Sequence, residues 1–217
     1  NSASGYRLDV SQSSTFTGNQ TTLIGFSFPG TSNLPDTAIT ANALDSIVTV
    51  GGTGVPTYAA GTARADTWNS GNGTKAWEIH FSTTGYHNIR VSSKQRSSNT
   101  GPKNFKLQYR VGSTGAFSDV TGGAIVVDNS YTLGVLNQLQ LPLACEDQSV
   151  IYLRWTMSSN TSVNNATVAS TGASNIDDIS VSGGQYSFLA GYQNKLENGL
   201  NDTVYGLSAN TTYYMRI

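Results

Sequence analysis

Few residues of this 217-residue chain could do acid–base or nucleophilic chemistry. There are two histidines, His80 and His87, and one cysteine, Cys145. An enzyme needs a nucleophile with a base, a carboxylate pair or an open metal site. Glu78 lies two residues before His80, but such a pair is more often a surface hydrogen bond than a catalytic dyad. No phosphate-binding loop, HExxH motif or zinc-ligand spacing occurs. The sequence therefore predicts a protein that is not an enzyme.

The acidic pair Asp177-Asp178 is the candidate metal site. Neighbouring residues of a strand point to opposite faces, so only one of these carboxylates can enter a given site. That carboxylate, together with backbone carbonyls, could hold Ca²⁺ as a structural cofactor. The alternative is an aspartate at a strand edge that caps a turn through its own backbone. Both interpretations stay open at this level.

A basic and polar set of side chains is the candidate ligand-binding surface. Half of the twelve Lys and Arg residues lie between Arg90 and Arg110, and no Asp or Glu occurs between Glu78 and Asp119. The side chains that we predict to share one exposed sheet face are Arg90, Lys94, Lys106, Gln108, Arg110, Tyr152 and Arg154. On neighbouring strands such side chains lie about 5 Å apart. The face predicts either an anionic partner, such as an acidic polysaccharide, or a surface that only keeps the protein soluble.

Three tryptophans are candidate sugar-binding platforms, because aromatic rings present large apolar faces. Trp77 and Trp155 alternate with aliphatic residues, which predicts that both pack in a core. Trp68 lies in ADTWNSGNG, outside any clean strand pattern. We therefore predict that Trp68 is the exposed platform.

The elements that must position these residues are strands. The runs KAWEIHF, HNIRVSSKQRS, NFKLQYRV and VIYLRWTM alternate with a period of two, which is typical of strands with one buried face. The chain has 23 Gly and only 12% charged residues, and no segment shows a sustained helical period. These features predict an all-β protein.

Composition also argues against several classes of partner. The net charge of −1 disfavours nucleic-acid binding, which usually requires a basic domain. No apolar run reaches the length of a membrane span. The single cysteine, Cys145, excludes an internal disulfide, and its place in LPLACED predicts a small buried residue.

The middle of the chain resembles a known module. The segments RSSNTGPKNFKLQYRVGSTGAF, LPLACEDQSVIYLRWTMSSN and SNIDDISVSG are similar to a jelly-roll-like β-sandwich module of large secreted bacterial surface proteins. We assign residues 20–184 to it. The resemblance implies an antiparallel β-sandwich that is a non-catalytic extracellular or cell-surface module for binding or adhesion, with a glycan or another surface ligand as partner. Jelly-roll modules often carry a structural calcium ion, which the resemblance also implies here.

The two ends of the chain carry a second resemblance. GLSANTTYYMRI resembles the E–F corner and F strand of fibronectin type III domains, SASGYRLDVSQSSTF resembles their C strand, and FLAGYQN resembles the segment directly after that C strand. Residues 1–19 and 185–217 would be two parts of one such domain. The resemblance implies that Tyr213 packs back on the corner, that Met215 and Ile217 point inward, and that Tyr6–Val10 shares a sheet with Tyr213–Ile217.

That fibronectin-like domain would be incomplete, because strands A, B and G have no counterpart in the sequence. Either the chain is an excerpt of a longer polypeptide, or a neighbouring chain supplies the missing strands. The second case gives the alternative function, a structural spacer or filament-forming subunit completed by strands of its neighbour.

Overall fold

A computed structural model describes residues 6–59, 61–193, 195–197 and 203–217. Within these ranges two short 3-10 helices, Thr40–Asn42 and Leu143–Cys145, accompany fifteen strands. The strands are β1 Tyr6–Ser11, β2 Thr21–Phe26, β3 Thr37–Ala38, β4 Val48–Val50, β5 Thr57–Ala59, β6 Thr62–Ala65, β7 Ala76–Phe81, β8 His87–Ser97, β9 Asn104–Val111, β10 Ser118–Val126, β11 Gly134–Gln140, β12 Ile151–Met157, β13 Ser174–Gly184, β14 Lys195–Glu197 and β15 Tyr214–Arg216. All strand pairings among the described residues are antiparallel.

Two large sheets form the body of the protein. The front sheet has five strands in the order β10-β9-β12-β7-β4. The back sheet has seven described strands, with the path β11-β8-β13-β2-β3, β6 beside β13, and β5 beside β6. One buried apolar cluster draws its residues from both sheets. The prediction of an antiparallel all-β sandwich is confirmed.

The alternation seen in the sequence decides which side chains fill the space between the sheets. Five side chains on the inward sides of three strands are completely buried: Trp77 and Ile79 of β7, Leu153 and Trp155 of β12, and Val91 of β8. Both indole nitrogens find acceptors in the opposite sheet, since Trp77 donates to the Ser174 hydroxyl at 3.2 Å and Trp155 donates to the Ser93 hydroxyl at 3.0 Å. The core is therefore apolar, with a few serines placed where an indole N–H needs a partner.

Trp68 lies in this core, so the prediction that it is exposed is wrong. Its exposed fraction is 0%. The positive φ of 60° at Thr67 turns the chain just before it. Its ring centroid lies 5.8 Å from that of Trp77 and 5.6 Å from that of Phe105, and its indole nitrogen donates to the Ala65 carbonyl at 3.0 Å. A ring with all its faces covered cannot serve as a sugar platform.

A small third sheet, the terminal sheet, joins the two ends of the chain in the order β14-β1-β15. Val10 of β1 pairs with Met215 of β15, and the Val10 N–H donates to the Tyr192 carbonyl at 3.0 Å. The predicted pairing of the two ends is therefore present. Residues 1–5 and 194, which belong to the segments compared with fibronectin domains, lie outside the described residues.

Tyr213 packs back as predicted, because its hydroxyl accepts the Ser208 N–H at 3.0 Å. Met215 shares the face of its partner Val10 but is 54% exposed, and Ile217 is 88% exposed. The expectation that Met215 and Ile217 enter a core is wrong, since in the described ranges β15 is an edge strand and both side chains stay largely exposed. The fibronectin-like assignment itself stays a prediction.

No helix in the described part of the chain is both long and apolar enough to cross a bilayer.

Candidate functional site

The predicted basic face is divided between the two sides of the sandwich. Arg90 and Lys94 lie on β8 in the back sheet, whereas Lys106, Gln108 and Arg110 lie on β9 in the front sheet. The connection at 98–103 passes from one sheet to the other, so consecutive strands are not neighbours. The prediction of one continuous basic surface is wrong.

The remaining predicted residues join the front-sheet part of the set. Tyr152 pairs directly with Arg110, and Arg154 pairs directly with Gln108, because β12 lies beside β9. We call the outer surface of the front sheet the front face.

The cations of both sheets face carboxylates that the sequence pattern did not associate with them. Lys94 donates to Asp178 at 2.6 Å, and Lys106 donates to Asp119 at 3.0 Å. Arg154 forms a close ion pair with Glu78 on the adjacent strand β7. The distant strands β13 and β7 supply Asp178 and Glu78, whereas β10, which follows β9 directly in the chain, supplies Asp119. Three of the cations are thereby offset.

Cross-strand register arranges the front face in rows. One row runs His80, Tyr152, Arg110 across β7, β12 and β9, and the next runs Glu78, Arg154, Gln108, Asp119 and reaches β10. Directly opposite side chains on neighbouring strands are about 4.5–5.5 Å apart at Cβ. The rows therefore bring aromatic, cationic and acidic groups into one continuous network.

Rings and guanidinium groups stack on one another within the front face. The His80 and Tyr152 rings are stacked with centroids 5.4 Å apart. The Arg110 guanidinium lies 4.4 Å from the Tyr152 centroid and 4.6 Å from that of Phe117, and Arg154 lies 4.0 Å from Phe117. Cation–π contacts of this kind fix planar groups relative to each other.

Hydrogen bonds fix the polar end of the same network. Gln108 donates through Nε2 to Asp119 at 2.7 Å and accepts through Oε1 from the Thr156 hydroxyl at 2.7 Å. The hydrogen bonds from Lys106 and Gln108 hold the pKa of Asp119 below its usual value. At the other end, His80 Nε2 lies 3.2 Å from Asp45 Oδ1. The side chains of the front face are therefore ordered without a ligand, which lowers the entropic cost of binding.

Phe117 and Asp119 were missed by the sequence reasoning. Phe117 follows the Gly-rich turn VGSTGA and belongs to no alternating run, so its aromatic side chain is the only signal that could have marked it. Asp119 begins β10, a strand whose register shifts between Asp119 and Ala124. That irregularity weakens the period-two pattern in the sequence.

Asp177 and Asp178 occupy a second irregular stretch, where the pairing of β13 with β8 shifts register. Asp178 has a positive φ of 45° and its N–H donates to the Asp177 carboxylate at 2.6 Å, which is the backbone-capping arrangement. Burial, and then the Asp178 carboxylate, raise the pKa of Asp177. Among the described residues no group of three or more His, Cys, Asp or Glu could hold a metal ion together. Calcium binding at Asp177 or Asp178 stays a prediction.

Two further side chains could in principle react, Cys145 and His87, and neither belongs to the front face. Cys145 is completely buried, as predicted, and burial raises the pKa of its thiol to about 12. It is therefore protonated at neutral pH and is not a nucleophile. His87 contacts Glu146 at 3.2 Å and stacks on Tyr186 with ring centroids 3.6 Å apart.

Comparison with solved structures finds β-sandwich proteins. A family 4 carbohydrate-binding module matches with a TM-score of 0.44 at 9% identity, over 64% of this chain and 86% of its own. A family 29 carbohydrate-binding module in complex with mannohexaose matches with a TM-score of 0.39 at 12% identity, over 76% of this chain and 93% of its own. No protein-family model matches the chain, and neither does any curated protein. Similarities this low do not establish a shared function.

Proposed function

We propose that the protein is a non-catalytic extracellular module that binds glycans through its front face. The observation that carries this proposal is the network in which Tyr152 and Phe117 alternate with Arg110 and Arg154. Planar guanidinium groups offer several N–H donors in a fixed geometry, which suits the oxygens of neighbouring sugar hydroxyls. Aromatic carbon suits the apolar faces of sugar rings.

The charge pattern favours a neutral glycan over an acidic one on this face. Arg154 and Lys106 each contact a carboxylate, Glu78 and Asp119 respectively. An acidic polymer would have to compete with these acids, whereas sugar hydroxyls can donate to the carboxylates and accept from the cations. Binding at the front face should therefore depend only weakly on salt.

The test is affinity electrophoresis and calorimetry with soluble neutral polysaccharides and their hexasaccharides, with an acidic polysaccharide as a comparison. Replacing Tyr152 by Ala or Arg110 by Ala should weaken binding about tenfold or more, as expected for residues at the centre of a binding surface. The matched control is Lys94→Ala, which removes a cation from the back sheet. Equal binding by parent, Tyr152→Ala and Arg110→Ala would refute the proposal.

The alternative function, a structural spacer or filament-forming subunit, has its own supporting observation. The edge strand β15 carries Met215, and Ile217 follows directly after it, both largely exposed. An apolar edge favours pairing with a strand of another chain. Sedimentation velocity over a hundredfold concentration range tests it, with Met215→Lys as the variant that should prevent association. A concentration-independent monomer would exclude self-association.

A further inference from the structure

A cleft lies where the terminal sheet meets the sandwich. Its volume is about 760 Å³, within the range of roughly 300–1,000 Å³ that is common for small-molecule sites. Its lining includes the start of β8, the segment 140–143, Tyr186 and Arg216. None of the front-face side chains described above lines it.

Two arginines line this cleft. Arg90 comes from β8, and its hydrogen bond is to the Gln138 carbonyl at 3.3 Å, with no carboxylate partner in the described ranges. Arg216 comes from β15, where its Nε donates to Asp9 at 2.7 Å. The same guanidinium lies 4.6 Å from the Phe16 ring centroid and 5.7 Å from that of Tyr186, with which it also shares a hydrogen bond. These contacts hold Arg216 in place beside the cleft.

Glu146, the carboxylate that lines the cleft, already has a protein partner for each of its two oxygens. One of its oxygens accepts the Asn88 N–H at 2.7 Å, and the other lies 3.2 Å from the Nδ1 of His87. The lining therefore holds two guanidinium groups against a carboxylate whose two oxygens both face protein donors. An oxyanion in the cleft could accept hydrogen bonds from the Arg90 guanidinium, which has no carboxylate partner in the described ranges.

The rest of the lining suits a sugar ring. Pro142 and the exposed Leu143 provide apolar surface, together with the part of Tyr186 that His87 leaves uncovered, since Tyr186 is 41% exposed. Gln140 and Thr121 provide neutral polar groups. Apolar carbon with neutral hydrogen-bonding groups and two guanidinium groups is the complement of a sugar that bears a carboxylate.

We propose that this cleft is a second ligand site, which binds a uronic acid unit of an acidic saccharide with Arg90 and Arg216 on its carboxylate. The site is independent of glycan binding at the front face. It uses Arg90 for the acidic ligand that the sequence suggests, but with a partner from the terminal sheet instead of from β9.

The experiment is calorimetric titration of the full chain with oligogalacturonate at low salt. The matched ligand is the methyl-esterified oligomer, which keeps the sugar rings and removes the charge, and a sulfated oligosaccharide tests for general oxyanion binding. Arg90→Gln should weaken oligogalacturonate binding about tenfold, the usual effect of losing one charge-assisted contact. Arg216→Gln should also weaken it, with its effect on folding read separately from thermal melting.

A control variant separates this cleft from the rest of the surface. Arg64→Gln removes the same charge from an exposed position on β6, outside the cleft. This variant should bind oligogalacturonate like the parent. Absence of binding, equal binding of the esterified oligomer, full affinity in Arg90→Gln, or binding of the sulfated ligand alone would each overturn the proposal.

Discussion

The indole nitrogen of Trp155 in the front sheet donates a 3.0 Å hydrogen bond to the hydroxyl of Ser93 in the back sheet. Both side chains are buried, so the bond crosses the core and ties the two sheets at one register. Ser93 follows the aliphatic residues Ile89 and Val91 on the same side of β8. A polar residue at this inward position is needed because the buried indole N–H would otherwise lack a partner.

Replacing Ser93 by Ala should lower the free energy of unfolding by about 1–3 kcal/mol, the cost of leaving a buried donor unpaired. Urea unfolding followed by tryptophan fluorescence measures the difference. Ser180→Ala is the control, since Ser180 is only partly buried and its side chain makes no hydrogen bond within the described part of the chain. Equal stability of the two variants would contradict the assigned role of Ser93.

Replacing Gln95 by Met should raise the free energy of unfolding by about 1 kcal/mol or more, because the change removes buried polar atoms and keeps the side-chain length. Gln95 has an exposed fraction of 0%, and neither end of its amide has a hydrogen-bond partner among the described residues. The measurement is the same urea titration, with Gln95→Ala as the variant that should destabilise by leaving a cavity. A less stable Met variant would refute this.

Replacing Tyr213 by Phe should loosen the terminal sheet and leave the sandwich intact. Its hydroxyl accepts hydrogen bonds from the Ser208 N–H and from Gln12, and losing them should cost about 1 kcal/mol of local stability. Hydrogen exchange resolved by residue should show faster exchange in β1 and β15 and unchanged exchange in β8 and β12. Uniformly faster exchange would mean that the two parts unfold together.

Replacing Asp177 by Asn should stabilise the protein at neutral pH, and the gain should vanish in acid. Burial raises the pKa of Asp177 above 3.8 in the folded state, so stability falls as pH rises from 3.8 through the folded pKa and then stays lower. The gain is expected to be below about 1 kcal/mol because solvent screens a half-exposed group. Urea titrations in chelator from pH 3 to 8 test the sign, and a gain that grows towards pH 3 would refute it.

Calcium should raise the melting temperature if Asp177 or Asp178 holds it, because binding to the folded state alone adds to stability. The melting temperature is compared in excess Ca²⁺ and in chelator, with Mg²⁺ as the control for general screening. Asp177→Asn together with Asp178→Asn should abolish the shift. Identical melting of the parent with Ca²⁺ and with chelator would reject the calcium prediction.

The sequence was enough to predict the strands that alternate cleanly and the side of each strand that is buried. The inward places of Trp77 on β7 and Trp155 on β12 follow directly from a period of two. The same period cannot tell which sheet a strand joins. That is why Arg90 and Arg110, close in sequence and similar in pattern, lie on opposite sides of the sandwich.

The positions of side chains in irregular segments could not be predicted from the sequence, for a different reason. The positive φ at Thr67 turns Trp68 into the core. The periodicity of a sequence reveals neither such a turn nor the space in the core that the ring fills. Phe117 reaches the front face from a loop, and Asp119 reaches it beside a register shift. Only the three-dimensional pairing of β10 with β9 brings these two residues to the site.

The central place of β13 also governs how the chain can fold. Ser174–Gly184 pairs with β8 on one side and with β2 and β6 on the other, so it joins strands that precede it by some eighty to one hundred and sixty residues. Such high contact order slows folding, since long loops must close before these strands can pair. During synthesis from the N-terminus, β2, β6 and β8 each keep an unpaired edge until β13 has been made. The sandwich is therefore completed late, and any chain cut before Ser174 leaves an edge of each of these three strands unpaired and prone to aggregation.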